Sequence, residues 1–332
     1  MNITVLGAGS WGTALARLLC LNGHQVTLQS WQPDHVAEMR RERENRQFLP
    51  GVALPERLDI TGDMAAANSG DMVVFSVPSP ALASVARQAL PYVRQDAILI
   101  STAKGFFQDE AGGAMLRLSQ VLRQTLPGRH CVALSGPSHA EEVGQELITA
   151  VTVAGDDPPI LKQVQEAFSN DYFRVYTNND LIGVEVGAAV KNIIAVGAGL
   201  LTGLGQGDNA KAALMTRGLA EITRLGVALG AEEATFAGLA GIGDLIVTCT
   251  SENSRNFRAG REIGQGRPVA EVIGHMGMVV EGVYAAQAVH QLAQSHQVEM
   301  PICQQIYGVL YEGADPDQAM RLLMLRERKE ER

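Results

Sequence analysis

The sequence predicts a two-domain α/β chain: a doubly wound, mainly parallel sheet over residues 1–178, then a second, all-α domain over residues 179–332. Three observations support that class. A glycine-rich turn separates an apolar run from a helical one at the start. Short apolar runs then alternate with helical stretches to about residue 178, and beyond that point only helical periodicity remains.

Residues 2–6, NITVL, read as the first strand, and GAGSWG opens the helical stretch TALARLLCLNG directly behind it. HQVTLQS (24–30) is a second strand, and PDHVAEMRRERENR (33–46) is a helix with a charged face. Further strands are expected at MVVFSV, AILIST, CVALSG, TAVTVA and FRVYT, separated by helical or turn segments such as PALASVARQAL and GAMLRLSQVLRQTL. Strands alternating with helices imply a parallel sheet covered on both faces. From NNDLIGVEVG onward the pattern is helical, and the mixed-charge tail RERKEER reads as a frayed, solvated helix end. The run LIGVEVGAAVKNIIAVGAGLLTGLG (181–205) has about the length of a membrane span. Glu185, Lys191, Asn192 and its glycines make it a poor one, so it is read as a buried central helix and no membrane span is expected.

Composition narrows the function. With 332 residues there is room for about two domains and a sizeable core. The net charge of −9 argues against a general nucleic-acid surface, so an anionic ligand needs a local basic pocket. Cys20, Cys131, Cys249 and Cys303 lie far apart, and the histidines show no ligand spacing, so neither a disulfide framework nor a metal site is expected. The start of the chain has no basic region before an apolar core, which suits a cytoplasmic location.

Gly7, Gly9 and Gly12 form GxGxxG between strand and helix. Gly7 permits the tight turn, Gly9 removes a side chain where a pyrophosphate approaches, and Gly12 lets helix and strand pack closely. The helix amides and dipole favour a phosphate there, which points to a Rossmann-type dinucleotide site. After the second strand stand Gln29, Ser30, Trp31 and Gln32, where an acidic residue favours NAD and an arginine NADP, so the residues leave that preference open.

Lys104, in STAKGF, stands at the carboxyl end of a strand, where open α/β sheets bind ligands; it reads equally as a surface-loop lysine. In LSGPSHAEE, Ser138 and Glu141 have capping-box spacing, with Gly136 and Ala140 placed to line a cleft. TSENSRNFRAGR gathers Ser254, Arg255, Asn256, Arg258 and Arg261 at a helix start: Ser254 is an N-cap by type, and arginine, amide and helix dipole together suit a phosphate. Lys191 lies in an almost wholly apolar run, where a buried ammonium is costly unless compensated. Asp244, in GLAGIGDLIVTC, is either a helix cap or the partner that holds that lysine.

GAGSWGTALA, NRQFLPG, FSVPS, STAKG, SGPSHAEE, VGAAVKNIIAVGAGLLTGLGQGDNAKAALMTRGLAEITRLG, GLAGIGDLIVTCTSENSRN and VVEGV follow one another over the whole chain, and this order resembles the bacterial-type NAD(P)-dependent glycerol-3-phosphate dehydrogenases. The resemblance implies reversible reduction of dihydroxyacetone phosphate, a small phosphorylated triose, to sn-glycerol 3-phosphate with NADH or NADPH, feeding glycerophospholipid synthesis. It assigns proton transfer to Lys191 and substrate contacts to Lys104, Gly136, Ser138, Asp244, Ser254, Arg255 and Asn256. It assigns cofactor contacts to Ser10, Trp11, Lys104, Ala140, Arg255, Val279 and Glu281, beside the three glycines. The glycine- and alanine-rich α domain is expected to form a homodimer. Two departures from the family pattern are Trp31 and Gln32 in place of an arginine, which argues against strong NADP selectivity, and Phe48 in place of a tyrosine.

Lys191 is therefore expected to project into the interdomain cleft, with burial and Lys104 lowering its pKa and Asp244 opposing that shift. Two alternatives are a β-hydroxyacid-type dehydrogenase acting on a carboxylate, and a nicotinamide-dinucleotide sensor without chemistry.

Overall fold

The computed structural model describes residues 1–108, 113–325 and 330. The expected frayed helix end at 326–332 therefore lies outside the described residues, apart from Glu330. The chain separates into two compact units, Met1–Glu185 and Val186–Arg332.

In the first unit the strands are β1 (Asn2–Leu6), β2 (Gln25–Gln29), β3 (Glu44–Asn45), β4 (Leu49–Ala53), β5 (Asp59–Thr61), β6 (Met72–Phe75), β7 (Ile98–Ser101), β8 (Phe106–Gln108), β9 (Met115–Arg117), β10 (Cys131–Ser135), β11 (Thr149–Ala154) and β12 (Phe173–Asn178). The helices are α1 (Ser10–Leu21), α2 (Pro33–Glu42), α3 (Leu82–Ala89), α4 (Leu118–Thr125), α5 (Ala140–Gly144) and α6 (Pro158–Phe168). An eight-stranded sheet runs β12-β11-β10-β7-β6-β1-β2-β5. Its central strands β6, β7 and β10 are buried at every residue, which is why they stand out in the sequence as unbroken apolar runs. One large core lies against β1, β2 and α1, and a second against β6, β7, α3 and α4.

The seven predicted strands form, and all but one of the neighbouring pairs are parallel; β11 runs antiparallel to β10. Three features differ from expectation. The helix expected over 33–46 ends at Glu42, because Arg43 turns left-handed (φ 49°) and the chain enters the β3–β4 hairpin. The stretch expected to be helical from 113 first makes β9, paired with β8, and α4 begins only at Leu118. The edge strand β5 is three residues long, too short to leave a period in the sequence.

The chain then becomes helical: α7 (Leu181–Gly203), α8 (Asp208–Ala228), α9 (Asp244–Thr250), α10 (Arg255–Gly264), α11 (Val269–His275), α12 (Glu281–His296), α13 (Pro301–Tyr311) and α14 (Pro316–Met324). A π-helical turn, Leu239–Gly243, leads into α9. α7 is long and apolar enough to cross a membrane, but its most apolar window is 94% buried, the burial of a core helix. Its first polar residue, Glu185, belongs to the first unit and is fully engaged there. It accepts from Arg117 Nη1 at 2.6 Å, Ser119 N at 2.7 Å and Ser119 Oγ at 2.6 Å.

In the second unit α7 and α10 meet backbone to backbone. A Cβ on Gly199 would lie 2.1 Å from the Phe257 carbonyl oxygen, and one on Gly260 would lie 2.0 Å from that of Val196. Glycine alone allows this approach, which sets α10 against the helix that carries Lys191. Gly260→Ala is therefore expected to destabilise the protein by about 1–3 kcal/mol through overpacking, seen as a lower urea midpoint.

On α8, Glu221 is almost wholly buried and accepts from the amides of Ile302 (2.7 Å) and Cys303 (3.1 Å), closing the start of α13. Burial pushes its carboxyl above the ordinary value of 4.5. The folded state then keeps a proton that the unfolded chain has released, so this group's contribution is full below 4.5 and lost as pH rises through the folded value. Denaturation measured across that range should show stability falling with pH, with a flatter slope in Glu221→Gln.

Candidate active site

The first unit places its candidate residues at one edge of the sheet. The loops after β1, β7 and β10 leave the carboxyl ends of parallel strands, where the strand order reverses on either side of β1 and β6. Gly7 has φ +106°, and a Cβ there would lie 2.4 Å from the Ser76 carbonyl oxygen; one on Gly12 would lie 1.9 Å from that of Gly7. At Gly9 the opposite holds, since a Cβ would meet nothing within 4 Å. The turn is packed on its inner side and open at its apex. Gly9 is the N-cap of α1 and brings no capping side chain, leaving the first turn, Ser10 to Gly12, to an external acceptor. Trp11 packs on the core near Phe173 (ring centroids 6.5 Å), and its indole Nε1 is a buried donor with no partner among the described residues. An open cradle over helix amides fits the pyrophosphate of a dinucleotide.

Lys104 follows β7, and its ammonium donates to the Gly136 carbonyl at 3.0 Å. Gly136 follows β10 with φ +136°, and the Ser138 hydroxyl donates to the same carbonyl at 3.0 Å. Lys104, Gly136 and Ser138 are thus one cluster. The capping box expected of Ser138 and Glu141 does not form: α5 is preceded by His139 with no side-chain cap, because the Ser138 hydroxyl turns back to Gly136. Ala140, the first residue of α5, is buried.

In the second unit Lys191 is 4% exposed, so its ammonium does not escape along its stem to water. Its Nζ lies 2.6 Å from Asp244 Oδ1 and 2.6 Å from Thr248 Oγ1, and Asp244 is 1% exposed. The Thr248 hydroxyl donates to the Asp244 carbonyl one turn back at 2.5 Å, which turns its lone pairs to the lysine. Asp244 is thus the partner of the lysine rather than a cap.

The neighbouring Asn192 opens a second connection. Asn256 Nδ2 donates to Asn192 Oδ1 at 2.9 Å, and Asn256 Oδ1 accepts from Gly282 N at 2.9 Å. This pins the start of α10 to the start of α12, where Glu281 stands. Arg255 Nη1 donates to the Val279 carbonyl at 3.0 Å. Ser254 is the N-cap of α10, accepting from Phe257 N at 3.2 Å. Ser254, Arg255, Asn256, Val279 and Glu281 are therefore brought together, tied through Asn192 to the Lys191 helix. Arg261 does not join them: it pairs with Glu252 at 2.6 Å on the surface. Thr248 was not singled out from sequence; its place four residues after Asp244, on the same helical face, is the signal that could have found it.

The family model described as NAD-dependent glycerol-3-phosphate dehydrogenase N-terminus matches residues 2–160, and that of the C-terminus matches residues 180–321. The chain belongs to the NAD-dependent glycerol-3-phosphate dehydrogenase family. It is 50% identical over 333 residues to glycerol-3-phosphate dehydrogenase [NAD(P)+] of Enterococcus faecalis, covering 99% of this chain and 97% of that one. It is similar to the crystal structure of glycerol-3-phosphate dehydrogenase from Coxiella burnetii, with a TM-score of 0.93 at 40% identity, covering 98% of this chain and 99% of that one. D-mandelate dehydrogenase, at 14% identity and a TM-score of 0.65 over 96% of this chain and 99% of that one, shares the fold alone. This family membership gives the chain NAD or NADP as cofactor.

A buried charge stripped of its partner is costly. Asp244→Ala is expected to destabilise the protein by about 3–5 kcal/mol, and the double variant Lys191→Met/Asp244→Leu to recover most of it, both measured by chemical denaturation.

Proposed function

We propose that Lys191 transfers the proton in the interconversion of dihydroxyacetone phosphate and sn-glycerol 3-phosphate, the reaction of this dehydrogenase family. One observation carries the reading: an ammonium in an apolar helix, 4% exposed, oriented by two oxygens at 2.6 Å. Bound NADH or NADPH supplies a hydride to C2 of the ketone. As C2 becomes tetrahedral, negative charge grows on its oxygen, and Lys191 Nζ delivers a proton there. An ammonium aimed at that oxygen stabilises the transition state more than the ground state. Asp244 and Thr248 hold the ammonium in place, so no reorientation accompanies the step. In the reverse direction the same nitrogen takes the hydroxyl proton.

In this reading the phosphate is held by Arg255 and Asn256 at the start of α10, with Ser254 fixing that turn and Lys104, Gly136 and Ser138 completing the substrate contacts. Gly7, Gly9, Ser10, Trp11 and Gly12 bind the dinucleotide, with Lys104, Ala140, Arg255, Val279 and Glu281 supplying further contacts. Residues 1–178 form the dinucleotide domain, and residues 179–332 the substrate and catalytic domain. In this reading the protein acts as a cytoplasmic homodimer serving glycerophospholipid synthesis.

Lys191→Ala is expected to lower kcat by about 10²- to 10⁴-fold while the chain stays folded by circular dichroism. Wild-type turnover in that folded variant contradicts the assignment. With dihydroxyacetone phosphate as substrate, both NADH and NADPH should be oxidised, with kcat/KM values within about ten-fold because no arginine follows β2. A panel of 2-keto and 3-keto carboxylates run alongside should give no comparable rate.

A further inference from the structure

Beneath the glycine-rich turn lies a buried polar relay to which nothing above assigns a role. It comprises Ser30 at the end of β2, His35 in the first turn of α2 and Asn45 in β3, exposed by only 4%, 5% and 0%. Asn45 Nδ2 donates to the Ala8 carbonyl at 2.9 Å and to Thr13 Oγ1 at 2.8 Å. A carbonyl only accepts, so the Asn45 amide has one possible orientation. Its Oδ1 therefore faces His35 Nε2 at 2.9 Å and accepts from Phe48 N at 3.2 Å. His35 must then carry its proton on Nε2. In the neutral ring Nδ1 is left to accept from the Ser30 hydroxyl at 3.1 Å. Phe48 and the imidazole form a T-shaped ring pair, with centroids 5.3 Å apart.

The consequence comes from peptide geometry. The Ala8 carbonyl and the Gly9 N–H belong to one planar trans unit, in which C=O and N–H point in opposite directions. Drawing the Ala8 oxygen inward to Asn45 turns the Gly9 N–H the opposite way, away from the relay. Thr13, held by the same amide group, fixes the first turn of α1 behind it.

We propose that Asn45, set by His35 and Ser30, is a positioning residue that aims the Gly9 amide at the dinucleotide pyrophosphate. The relay also joins the phosphate turn to the end of β2, where the adenosine ribose lies in this fold. The inference rests on the dinucleotide reading of the turn given above, and the test separates the two.

NADH binding is measured by fluorescence titration, beside steady-state kinetics. Asn45→Asp keeps the shape but sets an acceptor against the Ala8 carbonyl, which cannot donate. It should raise the NADH Kd and KM by about five- to a hundred-fold, the range for a buried group left unsatisfied, with kcat at saturating NADH and KM for dihydroxyacetone phosphate within about two-fold of wild type. Should Asn45→Asp not fold, the His35 pair carries the test: His35→Leu weakens NADH binding, and His35→Gln, which keeps an N–H donor, restores most of it. Folded variants with unchanged NADH Kd, or with losses shared equally by the triose KM, overturn the role of the relay. Wild-type protein that bound no NADH would overturn the dinucleotide reading, and the relay's role with it.

Discussion

The second unit is organised around one ion pair, Lys191 on the mostly apolar helix α7 with Asp244 at the start of α9, both closed off from water. Such a pair does not recommend itself as a source of stability, because desolvating both charges costs about as much as their attraction returns. Its value lies in fixing an ammonium where a flexible side chain would otherwise wander. The surrounding sequence serves that end. Small residues on α7 let α10 approach to backbone contact, which brings Asn256 within reach of Asn192 and sets the Arg255 turn beside the lysine's helix.

The first unit solves a different problem with similar means. There the ligand is anionic at its centre while the protein is net acidic. On the proposed reading, the pyrophosphate is therefore met chiefly by oriented backbone amides rather than by accumulated positive side chains. Glycine opens the space, and buried side-chain amides and hydroxyls orient the peptide groups around it. The Gly136 carbonyl plays a comparable part, gathering Lys104 and Ser138 to one point.

Much of this was legible in the sequence, and the reasons are physical. Central parallel strands such as MVVFSV and CVALSG must be apolar on both faces, so they announce themselves. Gly7 and Gly12 are demanded by close approach, which no other residue type permits, while Gly9 is legible from the motif's spacing alone. The lysine in the apolar helix is conspicuous because it is costly. What escaped notice was either too short to carry a period, as with β3, β5, β8 and β9, or depended on contacts that spacing does not encode. Asn45 reaches Ala8 across 37 positions, and its meaning appears only once the turn is folded above it. Ser138 misled because capping-box spacing is satisfied by chance wherever a serine precedes a glutamate by three. Arg261 misled because its partner, Glu252, lies nearby in sequence and holds it away from the Arg255 turn.

The central claim is that a single nitrogen, that of Lys191, carries the proton. Chemical rescue tests it most directly: Lys191→Ala is assayed with dihydroxyacetone phosphate and NADH in the presence of small alkylammonium ions that fit the space the side chain vacates. Saturable recovery of turnover, graded by the acidity of the added ammonium, is the predicted result. A folded Lys191→Ala protein that turns over at the wild-type rate without any added amine would contradict it.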